Sequence, residues 1–121
     1  MGKQEKLIEW WGDSYETLLT FPEEVLKDIG YQLHLVQNGA MPTNWKSMKE
    51  VGAGAYEIRV RTGNNQYRTI CVAKYEDKVH VLHAFMKKTR QTPSSDIAAA
   101  KIRYSQLVSE KRRKKKPVII K

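Results

Sequence analysis

The stretch AYEIRVRTGNNQYRTICVAKYEDKVHVLHAF, residues 55–85, contains three segments with the composition of β-strands. Ala55–Arg61 alternates apolar and polar residues, as expected for a half-buried strand. Tyr67–Tyr75 and Lys78–Phe85 are rich in β-branched and aromatic residues. The connections between them, TGNNQ and Glu76-Asp77, are short enough for hairpins. We therefore predict a three-stranded antiparallel meander.

The segments outside the meander predict one further strand and three helices. Leu7–Trp11 is a short apolar run, expected to be an edge strand. Helices are expected near residues 13–20 and 21–37, and Asp13 with Glu16 has the spacing of a capping box at the first. A third helix is expected after Thr92-Pro93. This order predicts an α+β fold, with the two N-terminal helices on one face of a small antiparallel sheet and a C-terminal helix.

Length and charge predict a single basic domain, residues 1–121, with a basic tail at about 111–121. The chain carries a net charge of +9 and its pI is about 9.7, so it attracts polyanions such as RNA. The single cysteine excludes an internal disulfide, and the three histidines lack zinc-ligand spacing. The first twelve residues contain no apolar run long enough for a signal peptide or a membrane span. We therefore expect a cytoplasmic protein without a membrane partner.

The predicted strand register collects cations on one face of the sheet. Pairing Arg68 with Phe85 and Arg61 with Arg68 follows from the two hairpins. That face would carry Glu57, Arg59, Arg61, Arg68, His83, Phe85 and, just past the strand, Lys87. The opposite face would pack against the N-terminal helices with Tyr56, Ile58, Val60, Cys71, Ala73, Leu82 and Ala84. A one-residue slip would scatter the cations over both faces.

Several stretches resemble one protein family. TFPEEVLKDIGYQL, the pair YEIRVR…YR, and VLHAFMKKTRQTPSSDIAAAKIR are similar to the RelE/HigB superfamily of toxin–antitoxin toxins, and most of all to its phage-derived branch. The resemblance spans roughly residues 7 to 108. It implies a RelE-like fold and a small basic endoribonuclease that cleaves mRNA, often on the ribosome and without a metal cofactor. It also implies a cognate antitoxin, typically a helix-turn-helix protein in this branch.

The resemblance assigns roles to individual residues. Arg59 and Arg61 match the basic positions of the first meander strand. Arg68 matches the arginine that contacts the scissile phosphate, and Lys87-Lys88 match the basic pair after the last strand. Two positions depart from the pattern. Glu57 stands where a lysine is common, and the aromatic residue that often follows the basic pair is missing from Thr89, Arg90 and Gln91.

The same residues suit RNA cleavage on chemical grounds alone. Attack by the 2′-hydroxyl needs a base, cations around the phosphate and an acid for the leaving oxygen. His83 or Glu57 are candidates for proton transfer, and the arginines Arg59, Arg61 and Arg68 can bind phosphate through two nitrogens. Phe85 would offer a stacking face for an unpaired base. This scheme requires no cofactor and no metal.

Other interpretations of the same residues remain open. His83 can be a structural histidine, Phe85 a core residue, Glu57 a salt-bridge partner, and the arginines a solvated sheet face. The whole chain can be a non-catalytic nucleic-acid-binding module or a protein that docks an acidic partner. If Arg68 is a surface catalytic residue, its replacement by alanine should abolish cleavage and leave the fold intact.

Overall fold

The computed structural model describes residues 5–74, 78–88 and 93–115. In chain order the elements are β1 Leu7–Trp10, α1 Ser14–Leu18, α2 Glu23–Gln37, β2 Trp45–Ser47, β3 Tyr56–Thr62, β4 Asn65–Val72, β5 Lys78–Lys87 and α3 Ser94–Lys115. The α+β class and the predicted helices are confirmed. The predicted turn at Glu76-Asp77 and the end of the basic tail lie outside the described residues.

The strands form one mixed sheet in the order β1-β5-β4-β3-β2. The meander β3–β4–β5 is antiparallel, as predicted. β1 is an edge strand but runs parallel to β5, with Leu7 opposite Lys78, so the prediction of a purely antiparallel sheet was wrong. The reason is topological. The chain leaves β1 through α1 and α2 and returns to it only with β5, a long crossover that permits parallel pairing.

The hairpin between β3 and β4 is tighter than predicted. β3 ends at Thr62 and β4 begins at Asn65, with Gly63 at φ 56° in the two-residue turn. Arg59, not Arg61, is therefore opposite Arg68. The predicted register was wrong by two residues. Because side chains alternate with a period of two, this shift leaves the arginines on the predicted face.

A bulge in β5 changes which residues face each side. Arg68 is opposite Phe85 as predicted, but the register shifts between Ile70, which pairs with His83, and Cys71, which pairs with Val81. Leu82 is the extra residue, and it packs on the α3 side of the sheet rather than against the N-terminal helices. That part of the face prediction was wrong, because simple alternation does not continue through a bulge.

Each face of the sheet has its own hydrophobic core. α1 and α2 cover one face, as predicted, in a cluster that includes Val25, Ile29 and Leu33 with Ile58 and Val81. On the other face, α3 and the loop after β2 cover a second cluster, composed of Met48, Val51, Ala55, Ile70, Val72, Leu82, Phe85, Ala100 and Leu107. The second face is therefore divided, with an apolar part under α3 and a polar part over β3 and the start of β4.

Candidate nucleic-acid interface

The polar part of the second face consists of side chains in three cross-strand rows. In the first row Lys46 of β2 is opposite Glu57, and in the second Arg59 is opposite Arg68. In the third, Arg61 is opposite Gln66, which is opposite Lys87. We call the basic residues of these rows the cationic cluster: Lys46, Arg59, Arg61, Arg68 and Lys87.

A groove of about 360 Å³ crosses this surface and is lined by Asn44, Arg59, Val60, Arg61, Gln66 and Arg68. The structure thus brings together the three arginines that sequence analysis singled out. Lys87 lies beside the groove, since it is opposite Gln66. Three arginines and a lysine around an open groove can bind a phosphate group from several directions.

The cationic cluster is built around a buried carboxylate. Glu57 is only 1% exposed, and its Oε1 lies 3.2 Å from Nε of Arg68, which is 3% exposed. The same oxygen lies 3.9 Å from Nε of Arg59. Nη2 of Arg68 also donates a hydrogen bond to the side-chain oxygen of Gln66. Burying one of these charges alone would be costly, so each of Glu57 and Arg68 requires the other.

The charges of the cluster act on one another. Burial lowers the pKa of Arg68, Glu57 opposes this shift, and Arg59 and Arg61 add to it. Arg68 stays charged, because a guanidinium titrates far above neutral pH. Partial burial also lowers the pKa of Lys87, with further lowering from Arg68, Arg59 and Lys46 and an opposing effect of Glu57. The Lys87 ammonium is therefore a stronger acid than an ordinary lysine.

His83 is held in a separate polar network. Its Nε2 lies 2.6 Å from Oδ1 of Asp96, and its Nδ1 lies 3.1 Å from Nη1 of Arg103. A guanidinium only donates, so Nδ1 must accept, and the network fits a neutral ring that donates from Nε2. Both ring nitrogens are engaged within the protein. The geometry favours the structural interpretation of His83 over a role in proton transfer.

Arg103 extends this network to the beginning of the chain. Its guanidinium also donates to the Leu82 carbonyl at 2.8 Å and to Oδ1 of Asp13 at 2.9 Å. The predicted capping box was wrong, since the Asp13 side chain makes no capping hydrogen bond. Gly12 has φ 56°, a left-handed conformation that favours glycine, and a Cβ there would displace the Arg103 guanidinium from its present position. The network fastens α3 to β5 and to the turn before α1.

Phe85 does not provide the exposed stacking face that was predicted. It is 6% exposed and packs in the core under α3, with its ring stacked on His83 at a centroid distance of 5.6 Å. The prediction was wrong because α3 covers this end of the sheet. Among the described residues that line the groove, neither His83 nor Phe85 is present. Lys88 is exposed just beyond the end of β5.

Sequence analysis missed the contribution of β2 and of the residue that precedes it. Asn44 lines the groove, and Lys46 lies opposite Glu57, both exposed. β2 is three residues long and exposed throughout, so it lacks the alternation by which a strand is recognised.

In the part of the chain that the structure describes, no group of three or more His, Cys, Asp or Glu is placed to hold a metal ion. Nor does any helix in those ranges have the length and apolarity needed to cross a membrane.

The fold and the site describe a small basic α+β domain with a cation-rich groove on an open part of its sheet. Residues 16–105 match the family described as "Phage derived protein Gp49-like (DUF891)". The match covers well over half of the chain, which therefore belongs to this family. The Gp49-like family is RelE-like and associated with toxin–antitoxin systems. A comparison with curated proteins found no match.

The burial of Arg68 changes the expected effect of its removal. Arg68→Ala should lower the free energy of unfolding by about 3–5 kcal/mol, because it leaves Glu57 buried without its main partner. This corrects the expectation of an intact fold for that variant. Urea denaturation monitored by circular dichroism measures the change.

Arg61→Ala is the matched control, since Arg61 is exposed and its loss should change stability by less than about 0.5 kcal/mol. Adding Glu57→Gln to Arg68→Ala should recover part of the lost stability. Equal stability of Arg68→Ala and wild type would show that the buried pair does not support the fold.

Proposed function

We propose that this protein is the toxin of a type II toxin–antitoxin system and an endoribonuclease that cleaves mRNA on the ribosome, inhibiting translation. The observation that carries the proposal is the cationic cluster, arranged round the buried Glu57 on an open sheet face. Membership in a toxin–antitoxin-associated family supports it. The net charge of +9 adds long-range attraction for RNA.

In the proposed reaction the 2′-oxygen of a ribose attacks the adjacent phosphorus and the bond to the 5′-oxygen breaks. The products are a 2′,3′-cyclic phosphate and a 5′-hydroxyl. Arg59 and Arg61 contact the non-bridging oxygens from the open side of the groove, and Arg68 lines its floor. Their preorganised donors stabilise charge on the phosphate in the transition state. Fixed arginines suit this role, since each can bond two phosphate oxygens at once.

Lys87 is the group that we assign to proton transfer. The leaving 5′-oxygen needs a proton, and the ammonium of Lys87 is made more acidic by its surroundings. Glu57 is buried beneath the arginines and serves to orient them. Both ring nitrogens of His83 already bond to Asp96 and Arg103, so we assign His83 no proton transfer. The 2′-hydroxyl loses its proton to solvent water as its oxygen forms the bond to phosphorus, and Lys87 protonates the 5′-oxygen as the bond from phosphorus to that oxygen breaks.

The proposed partners are the ribosome with its mRNA and a cognate antitoxin. The association of the family with toxin–antitoxin systems supports an antitoxin, and we propose that it is a small helix-turn-helix protein. Its role is to neutralise the toxin until the toxin is released.

Expression of this chain alone in bacteria should stop growth and translation. Primer extension should reveal cleaved mRNA, and co-expression of the antitoxin should restore growth. The double variant Arg59→Ala/Arg61→Ala should permit growth, because it removes two phosphate contacts from the open side of the groove. Lys27→Ala/Lys101→Ala removes the same charge at exposed helix positions and should remain toxic. Normal growth with soluble wild-type protein and intact mRNA would contradict the proposal.

The lowered pKa of Lys87 predicts a pH dependence. A proton donor must be protonated, so kcat/KM should fall as pH rises through the Lys87 pKa, at lower pH than for an ordinary lysine. Lys87→Arg keeps the positive charge, but a guanidinium is a poor acid. This variant should lower the rate by about 10²–10⁴-fold and should not show the fall of kcat/KM at high pH. Single-turnover cleavage of ribosome-bound mRNA across a pH series measures both. An unchanged profile in Lys87→Arg would exclude Lys87 as the donor.

A further inference from the structure

The segment Asn44–Lys46 borders the groove, with Asn44 in its lining and Lys46 in the neighbouring row of the sheet. The Asn44 carbonyl accepts a hydrogen bond from the Arg59 backbone N–H at 2.9 Å, which places Asn44 beside Arg59. Lys46 is opposite Glu57. Asn44 precedes β2 and lines the groove, and Lys46 shares the sheet face of Glu57, so both lie on the side of the cationic cluster. Both are exposed.

Trp45, between them, anchors this segment. It is opposite Ile58, whose side chain lies in the core under α2, and its ring contacts Tyr56 at a centroid distance of 5.7 Å. The ring therefore lies on the opposite face from the groove. With the Trp45 side chain on that face, strand alternation places the Lys46 side chain on the groove side.

The side chains of Asn44 and Lys46 differ in what they can recognise. Lys46 is a point charge suited to a backbone phosphate, a contact that carries no sequence information. The Asn44 amide offers both a donor and an acceptor. Adenine presents a matching amino group and ring nitrogen, and the bases of single-stranded RNA expose these edges. Asn44 lines the groove beside Arg59 and Arg61, so a base next to a bound phosphate can reach it.

We propose that the segment Asn44–Lys46 determines which RNA the groove binds, with Asn44 reading an adenine edge and Lys46 holding the neighbouring phosphate of a single strand. The inference deepens the proposed function by naming the base next to the bound phosphate. The RNA binding that this inference describes does not require that the protein cleave RNA.

Binding is best tested with the full chain and uncleavable probes. Fluorescein-labelled 2′-O-methyl oligonucleotides of A, C or U lack the attacking hydroxyl, and fluorescence anisotropy gives Kd at several salt concentrations. Wild type should bind the A probe about 5- to 150-fold more tightly than the C or U probe, the discrimination of a bidentate amide–base pair.

The variants separate the two contacts. Asn44→Ala should remove the preference, and Asn44→Asp should shift it towards C, because a carboxylate accepts from the cytosine amino group. Lys46→Ala should weaken binding of all three probes and reduce the slope of log K against log salt by about 0.7, the value for one phosphate contact. Lys27→Ala, an exposed lysine of α2, should leave affinity and slope unchanged.

A wild type without base preference, or an Asn44→Ala variant that keeps it, would overturn the role of Asn44. An unchanged salt slope in Lys46→Ala would overturn that of Lys46. Cleavage of ordinary RNA is measured in parallel. If the preference and its loss are seen but no RNA is cleaved, the inference stands and the proposed function fails. If wild type cleaves and both variants match it in affinity and preference, only the inference fails.

Discussion

The ion pair between Glu57 and Arg68 is the constraint on which the candidate site depends. Both charges lie within the sheet and have lost their water, which for an unpaired ion costs several kcal/mol. Replacing either residue alone would leave the other as a buried charge without its main partner. Glu57 also faces Arg59 at longer range. One carboxylate therefore permits several cations to gather where they would otherwise repel one another.

This arrangement gives a physical meaning to the departure of Glu57 from the RelE-type pattern. Where the resemblance leads one to expect a lysine in β3, this chain has a buried acid, and a lysine stands opposite it in β2. A positive charge is thus present on the neighbouring strand, directly across from Glu57. We infer that the groove keeps a cation in this region, with a carboxylate beneath the surface to orient the arginines.

The same sheet face serves two purposes at its two ends. Under α3 it is an apolar core in which Phe85 packs, and the network of His83, Asp96 and Arg103 fastens the helix over it. Beyond α3 the face is polar and open. Because the rows run directly across the strands, the packing of α3 and the position of the groove are linked through β4 and β5. A change that loosens α3 should therefore disturb the groove without touching any of its residues.

Much of this architecture follows from local pattern in the sequence. The alternation of Ala55–Arg61 places Arg59 and Arg61 on one face, and a register error of two residues leaves that face unchanged. Contacts between distant segments do not follow from such patterns. The parallel pairing of β1, the bulge at Leu82 and the strand that presents Lys46 all depend on tertiary packing. The burial of Phe85 and Arg68 likewise depends on where α3 and Glu57 come to lie, which periodicity does not encode.

The chemistry of the RNA ends tests the central claim most directly. Purified protein would be given ribosome-bound mRNA, with a matched mRNA carrying a single 2′-deoxynucleotide at the mapped cleavage position. Transesterification in the groove of the cationic cluster predicts products with a 2′,3′-cyclic phosphate and a 5′-hydroxyl. The 2′-deoxy substrate should stay intact, since it lacks the attacking oxygen. Products with 5′-phosphate ends, or cleavage of the 2′-deoxy substrate, would contradict it.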